Sequence, residues 1–214
     1  MQQVLVYGDS LTWGIIPMTR RRLPFDRRWP GVLEMGLNAP GRSVRVIEDC
    51  LNGRRTVWED PYKPGRNGLD GLAQRIESHS PLALVILMLG TNDFQSMHPH
   101  NAWHAAQGIA ALVGAIHQAP VEPGTPIPPV LVVAPPPLGE TRGPIAPKFV
   151  GGDTKCAGLA EAYREVAGIL GCPFFDAGTV TSASRVDGVH LDADQHLALG
   201  EALVEVVGPL LHGK

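Results

Sequence analysis

Short runs of apolar residues alternate along this chain with stretches that carry a helical pattern. Five runs have the length and composition of strands, and they lie at residues 4–7, 44–47, 84–89, 130–133 and 174–175. The run at 84–89 is apolar at every position and ends at Gly90. Such a run is typical of a central parallel strand that helices cover on both faces. The pattern therefore predicts about five strands.

Between these runs, apolar residues recur at the spacing of one helix face. Pro30 suits the first turn of the first helix, and the second is predicted over residues 68–79. The predicted stripes are Val32, Met35 and Leu37; Leu69, Leu72 and Ile76; Ile109, Leu112, Val113 and Ile116; Leu159, Tyr163, Val166 and Leu170; and Leu199, Leu203, Val206, Val207 and Leu210. Alternating strands and helices predict right-handed βαβ units, and so an α/β fold with a mainly parallel five-stranded sheet between helices.

Length and composition limit the classes of protein to consider. A chain of 214 residues fits a single domain, 1–214. Hydrophobic residues make up 44% and charged residues 18%, which is globular composition. A net charge of −3 argues against a nucleic-acid partner, because such proteins carry a basic face. The three cysteines include no Cys-x-x-Cys motif, so they predict neither a metal site nor a redox site.

The N-terminus predicts a cytoplasmic protein. Met1 is followed almost at once by the first apolar run, without a basic segment or a cleavage site, so no signal peptide is predicted. The longest apolar run, at 82–89, is far too short to cross a bilayer, and no membrane partner is expected.

Four polar motifs occur where the predicted strands end or just before the last helix. They are Gly8-Asp9-Ser10-Leu11, Asn52-Gly53, Gly90-Thr91-Asn92-Asp93 and Asp187-Gly188-Val189-His190. Taken singly, a Gly-Asp-Ser tripeptide is most often a turn, and Asp-x-x-His is most often a surface loop. Ligands of open α/β sheets bind outside the carboxyl ends of the strands. The joint placement of the four motifs on one rim therefore predicts a functional site.

These residue types match the requirements of acyl transfer, which needs a nucleophile, a base, a group that orients the base, and oxyanion donors. Ser10 offers the hydroxyl, and His190, neutral near pH 7, can accept its proton. Asp187, three residues earlier, can orient the imidazole. The N–H groups of Ser10 and Gly53 and the side-chain amide of Asn92 are the expected oxyanion donors. Glycine at 53 would let substrate approach without a Cβ in the way.

With these residues in place, the chain resembles the SGNH (GDSL-type) hydrolase superfamily, and within it the bacterial arylesterase/acyltransferase branch. The four residues that name the superfamily would be Ser10, Gly53, Asn92 and His190. The resemblance extends over the whole chain and includes Ser10-Leu11-Thr12-Trp13-Gly14, Arg28-Trp29, Gly31-Val32-Leu33, Met88-Leu89-Gly90-Thr91-Asn92-Asp93, Pro135-Pro136-Pro137-Leu138, Phe174-Phe175-Asp176-Ala177-Gly178 and Val186-Asp187-Gly188-Val189-His190.

The resemblance implies a flavodoxin-like three-layer α/β/α fold and hydrolysis of short esters through an acyl-enzyme, without metal or cofactor. Members of that branch often form homo-oligomers and also transfer acyl groups to alcohols. The sequence departs from some arylesterases of the branch at Asn52-Gly53, where they carry Ser-Ala before the arginine. Hydrolysis is therefore the firmer expectation, and acyl transfer the weaker one.

Residues near the motifs supply further expectations. Trp13, Ile15, Phe94 and Val189 flank the proposed catalytic residues and are expected to line a short acyl pocket. The segment 138–152 is long and without periodicity, so it is the candidate for a pocket wall or lid. Asp9 and Asp93 are expected to hydrogen-bond loop backbone and to hold Ser10 and Asn92 in place.

The acidic residues after His190 allow two interpretations. Asp192, Asp194 and His196 could form a metal site. Asp192 or Asp194 is better explained as the cap or first turn of the last helix, where carboxylates suit the helix dipole. No metal site is therefore predicted.

Two alternative functions compete with a short-chain esterase. A carbohydrate acetylesterase of the same superfamily would need exposed aromatic groups on the rim, and the candidates are Trp13, Trp58 and Trp103. A flavodoxin-like nucleotide-binding module without catalysis is disfavoured, because no phosphate loop follows the first strand.

Overall fold

A computed structural model, which describes residues 1–38 and 41–212, shows one sheet of five parallel strands in the order β2-β1-β3-β4-β5. The strands are β1 Gln2–Gly8, β2 Val44–Cys50, β3 Leu84–Met88, β4 Val130–Ala134 and β5 Phe174–Asp176. This order is that of flavodoxin-like folds. The predicted fold class, a five-stranded parallel α/β sheet, is confirmed.

Helices cover both faces of this sheet. They are α1 Ser10–Trp13, α2 Trp29–Leu37, α3 Leu72–His79, α4 Ala102–His117, α5 Gly152–Lys155, α6 Leu159–Ile169 and α7 Ala193–His212. Side chains alternate along each strand, so Val4 and Val6 of β1 pack toward α2 and α7. Leu5 and Tyr7 pack toward α3, α4 and α6 on the other face. The result is a three-layer structure with a separate apolar core on each side of the sheet.

The helical stripes agree with the structure except near some helix ends. In α2, Val32 and Leu37 are buried as predicted, but Met35 is 52% exposed, and Leu33 takes the core position instead. The second predicted helix begins at Leu72 instead of residue 68. Gly71 has a φ of +69°, which lies outside the right-handed helical region, so the helix cannot extend through it. Leu170 is the C-cap of α6 and not a core residue.

The strand register positions the loops that carry the motifs. Gly8, the last residue of β1, pairs with Cys50 of β2 on one side and with Met88 of β3 on the other. The three strands therefore end at the same level, and the loops after them begin side by side. Within the described ranges, no helix is both long and apolar enough to cross a membrane.

Candidate active site

Ser10 lies at the N-terminus of a very short helix that directly follows β1. Asp9 caps this helix, because the Leu11 N–H donates to Asp9 Oδ1 at 2.9 Å. As the first residue of α1, Ser10 leaves its own N–H outside the hydrogen-bond ladder of the helix. The Ser10 residue is only 7% exposed. The end of β1 thus places the Ser10 hydroxyl and the Ser10 backbone N–H side by side.

His190 is oriented by Asp187 in the loop before α7. The imidazole Nδ1 lies 2.7 Å from Asp187 Oδ2, and the N–H groups of Val189 and His190 both donate to Asp187 Oδ1 at 2.9 Å. Because a carboxylate only accepts, Nδ1 carries a proton and Nε2 is left as the acceptor. Gly188 makes the intervening turn with a φ of +73°, and a Cβ there would lie 2.3 Å from the Glu140 carbonyl oxygen.

Asp187 is ionised, although it is 2% exposed. Burial alone would raise the pKa of its carboxyl. The side-chain hydrogen bond and charge of His190, together with the two backbone N–H donors, outweigh burial and lower the pKa below its ordinary value. Asp187 therefore keeps a negative charge beside the imidazole, where it can orient the ring and face the positive charge that forms during proton transfer.

Ser10 and His190 line one cleft of about 80 Å³, and Gly53 and Asn92 line the same cleft. The structure thus brings together the four residues of the motifs. Among the described residues, no hydrogen bond joins the Ser10 hydroxyl to His190. Such bonds are often long in enzymes without substrate and tighten when it binds.

The side chain of Asn92 is held in one orientation. Its Nδ2 donates to Asp9 Oδ2 at 2.9 Å and to the Arg54 carbonyl at 3.2 Å, and its Oδ1 accepts from Gln95 Nε2 at 2.7 Å. Both amide hydrogens therefore have partners. An oxyanion could receive a hydrogen bond from Asn92 only by sharing or replacing one of them, and the longer Arg54 contact is the weaker.

Asp9 and Asp93 both accept hydrogen bonds from loop backbone, as predicted, but only Asp9 also holds the side chain of Asn92. Asp9 accepts from the Leu11 N–H and from Asn92, while Asp93 accepts from the Thr56 N–H at 2.9 Å and from Thr56 Oγ1 at 2.5 Å. Both carboxyls are fully buried. Burial raises the pKa of Asp9 to about 6 and that of Asp93 to about 7, because these hydrogen bonds do not fully replace hydration.

Two buried arginines fix the loop that carries Gly53. The Arg54 guanidinium donates to the carbonyls of Gly8 and Asp49 and lies 3.9 Å from the centre of the Tyr7 ring. Arg55 pairs with Asp60 at 3.0 Å. A Cβ at position 53 would meet no atom closer than 3.9 Å, so crowding by the protein does not require glycine. The φ of +85° does.

The structure corrects half of the predicted acyl pocket. Ile15 and Val189 line the cleft as expected. Phe94 does not, because it is 1% exposed and packs in the core on the α4 side of the sheet. Trp13 does not line the cleft either, and the Arg22 guanidinium lies 4.9 Å from the centre of its ring.

Six further residues line the cleft, and of these the sequence motifs include only Asn52. They are Arg20, Asn52, Lys63, Ile145, Lys148 and Phe149. The last three belong to the segment 138–152, so that segment forms a pocket wall as expected. The charged residues come from separate loops, and no motif spacing identifies them in advance.

The residues after His190 serve the start of α7. Asp194 lies in its first turn, and the Asp192 N–H donates to Gln195 Oε1 at 2.7 Å. His196 is buried and its Nδ1 accepts from the Trp29 N–H at 3.4 Å. Burial lowers the pKa of His196 to about 3, so the imidazole is neutral.

A family model, the GDSL-like lipase/acylhydrolase family, matches residues 6–203, and the chain belongs to this family. The structure is similar to that of an aryl esterase from M. smegmatis, with 40% identity and a TM-score of 0.92 over 98% of this chain and 100% of that one. It is equally similar to a carbohydrate acetylesterase from Sinorhizobium meliloti, with 38% identity, a TM-score of 0.92 and the same coverage. No curated protein sequence matches significantly.

The protein is accordingly a carboxylic ester hydrolase. The alternative of a nucleotide-binding module without catalysis is therefore set aside.

Because of the buried Asp93 carboxyl, we expect the free energy of unfolding to decrease as pH rises. The folded protein retains the Asp93 proton to about pH 7, whereas the unfolded chain loses it near pH 4. Between these values the folded state binds more protons, so stability falls with rising pH. Asparagine does not titrate. The unfolding free energy of wild type minus that of Asp93→Asn should therefore decrease by roughly 2 to 4 kcal/mol between about pH 4 and 8.

Urea denaturation at several pH values measures this difference, and any constant effect of the substitution cancels. Asp70→Asn, at an exposed carboxyl, is the matched control and should show no such trend. A difference that is constant across the pH range would contradict a raised pKa at Asp93.

Proposed function

We propose that Ser10, His190 and Asp187 hydrolyse esters through a covalent acyl-enzyme. The Ser10 hydroxyl oxygen attacks the ester carbonyl carbon while its proton passes to His190 Nε2. The tetrahedral intermediate collapses, and His190 returns that proton to the departing alcohol oxygen. Water then attacks the acyl-Ser10 carbonyl, again giving a proton to His190, and the carboxylic acid leaves as Ser10 regains its hydrogen.

One observation carries this proposal. The 2.7 Å contact of Asp187 with His190 Nδ1 leaves Nε2 as a proton acceptor, in the cleft that also holds Ser10. In the proposal, the negative charge on the carbonyl oxygen is stabilised by the N–H groups of Ser10 and Gly53 and by Asn92. Donors that are oriented before substrate arrives make such stabilisation effective, and Asn92 would join them by sharing the hydrogen that it donates to the Arg54 carbonyl.

Two cavities that share several lining residues suggest the substrate class. The cleft at Ser10 is small, about 80 Å³, and is bounded by Ile15, Val189 and Phe149. A wider cavity of about 520 Å³ adjoins His190 and is lined by Met18 and Pro144, among others. We assign the short acyl group to the first and the leaving group to the second, so the preferred substrates are short-chain esters of aryl or simple alkyl alcohols.

Acyl transfer to added alcohols is part of this proposal, because an alcohol in the wide cavity would compete with water for the acyl-enzyme.

Deacetylation of carbohydrates is the second candidate, supported by the likeness to the Sinorhizobium meliloti enzyme. The three tryptophans considered for sugar stacking do not support it. None of them lines either cavity, Trp13 lies beside Arg22, and the Trp58 ring centre is 3.9 Å from that of His100. Trp103 is 62% exposed, but its ring also packs edge-on against His104. The geometry therefore favours simple aryl or alkyl esters.

A cytoplasmic location also remains a proposal. The three cysteines are free, which suits a reducing compartment. Formation of homo-oligomers stays a prediction from the resemblance to the arylesterase branch.

Ser10→Ala should reduce kcat on p-nitrophenyl acetate by about 10⁴- to 10⁶-fold, because the attacking oxygen is lost. The same variant should not be labelled by a fluorophosphonate probe that labels the wild type. Ser78→Ala, on the exposed face of α3, is the control and should keep both properties. Retention of more than about a tenth of the activity by folded Ser10→Ala would refute the assignment of the nucleophile.

Asp187→Asn should lower kcat by about 10³- to 10⁴-fold with the fold intact, because the amide no longer fixes the Nδ1–H tautomer of His190. The exposed Asp194→Asn is the matched control and should be as active as wild type. In wild type, kcat/KM should rise with pH, because general-base catalysis by an imidazole requires its neutral form. A profile that is flat between about pH 5 and 9 would contradict a histidine base.

The substrate assignment is tested with p-nitrophenyl esters from acetate to dodecanoate and with acetylated sugars. Each methylene that finds room adds about 0.8 kcal/mol of binding. A small acyl cleft should therefore give a maximum of kcat/KM at acetate to butyrate. A maximum at decanoate or dodecanoate would show a long acyl pocket, and a preference for acetylated sugars over aryl acetates would favour the second candidate.

A further inference from the structure

Three cationic side chains line the cleft around Ser10. They belong to Arg20, Lys63 and Lys148. Arg20 and Lys63 are exposed and Lys148 is half-buried, so the three lie between the reacting centre and solvent. The chain as a whole carries a net charge of −3. A cluster of positive charge at the cleft is therefore a local feature and does not follow from a basic composition.

The protein does not neutralise these three charges by direct pairing. Within residues 1–38 and 41–212, no carboxylate forms an ion pair with any of them. Asp60 is the acidic group that acts on both Lys63 and Lys148, but it is buried and already pairs with Arg55 at 3.0 Å. The cations are therefore available to an anionic ligand.

The lysine pKa values reflect the same surplus of positive charge. Burial lowers the pKa of Lys148 most; the charge of Asp60 opposes this, and the charges of Arg55, Lys63 and Arg20 lower the pKa further. Burial also lowers the pKa of Lys63, followed by the charges of Arg66 and Arg20. Like charges that lower one another's pKa in this way repel, and a bound anion would relieve that repulsion.

The positions of the cations indicate which part of a substrate they would meet. Arg20 and Lys148 line both the small cleft and the wide cavity beside His190, whereas Lys63 lines only the small cleft. His190, which protonates the departing oxygen in the proposed reaction, lines both cavities, and the proposed function assigns the leaving group to the wide one. Arg20 and Lys148 therefore lie on the side of the leaving group.

We propose that this enzyme prefers esters whose leaving group carries a negative charge, such as a carboxylate or sulfonate, and that Arg20 and Lys148 bind that charge. The proposal rests on the proposed acyl-enzyme function and specifies its substrate. Ile15, Met18, Pro144 and Ile145 line the same cavity and offer apolar contacts to the body of the alcohol. The preferred leaving group thus has an apolar body and an anionic end.

The test compares two acetates of nearly the same shape, 3-acetoxybenzoate and 3-acetoxybenzamide. Each kcat/KM is divided by the rate of hydroxide-catalysed hydrolysis, which removes differences in leaving-group reactivity. At low salt, wild type should prefer the anionic ester at least about threefold, which is the scale of partly exposed charge pairs. About 0.5 M NaCl should reduce that preference, because salt screens charges near solvent.

Lys148→Met and Arg20→Met should each lower the ratio of anionic to neutral kcat/KM by about two- to fivefold, mainly through KM. Lys148→Arg should retain the preference, because it retains the charge. Arg27→Met removes an exposed positive charge that lines neither cavity, so it is the matched control and should leave the ratio unchanged.

Equal rates for the two esters in wild type would overturn the charge preference and leave the esterase mechanism standing. If Lys148→Met lowered kcat/KM equally for both esters, that would also overturn the charge preference, since Lys148 would then support the site without distinguishing charged from neutral substrates. The proposed function fails on a different result, namely undiminished hydrolysis of both esters by Ser10→Ala.

Discussion

The site depends on the carboxyl group of Asp9, which is 1% exposed and joins two loops. One oxygen caps the helix that begins at Ser10, and the other accepts from the side chain of Asn92. The proposed nucleophile and one proposed oxyanion donor are therefore held by the same group. Burying this carboxyl disfavours its charged form, and burial accordingly raises the pKa of Asp9 to about 6. A shorter or apolar residue at this position would release both loops and leave buried donors unpaired.

Much of the fold could be predicted because its pattern is local. The run at 84–89 is apolar throughout since β3 lies between β1 and β4 and is covered on both faces. Element ends were less accurate where backbone geometry decides them. The helix α3 starts only after Gly71, whose positive φ leaves no trace in an apolar pattern. Apolar spacing also gave Met35 a core position that the structure gives to Leu33.

The site, like the fold, could be predicted where local sequence pattern decides a position and not where backbone geometry decides it. Ser10, Asn92 and His190 follow strand ends or precede a helix, and parallel strands bring such positions to one rim. The direction of a side chain within a turn does not follow from strand order. Phe94 lies two residues from Asn92, yet the 3₁₀ turn directs its ring into the core. Residues such as Lys148 reach the cleft through loops whose paths depend on the whole fold.

Burial raises the pKa of all three acids of the site, Asp9, Asp93 and Asp187, and hydrogen bonds and nearby charges oppose it to different extents. Asp187 accepts two backbone N–H donors and the imidazole of His190, and its pKa is lowered. Asp93 has two donors, both from Thr56, and its pKa rises to about 7. A carboxylate that must stay charged beside a base therefore receives more donors than one that only joins loops. Near the cleft, Asp187 is paired with His190 and Asp60 with Arg55, so the unpaired cations of the cleft remain available to substrate.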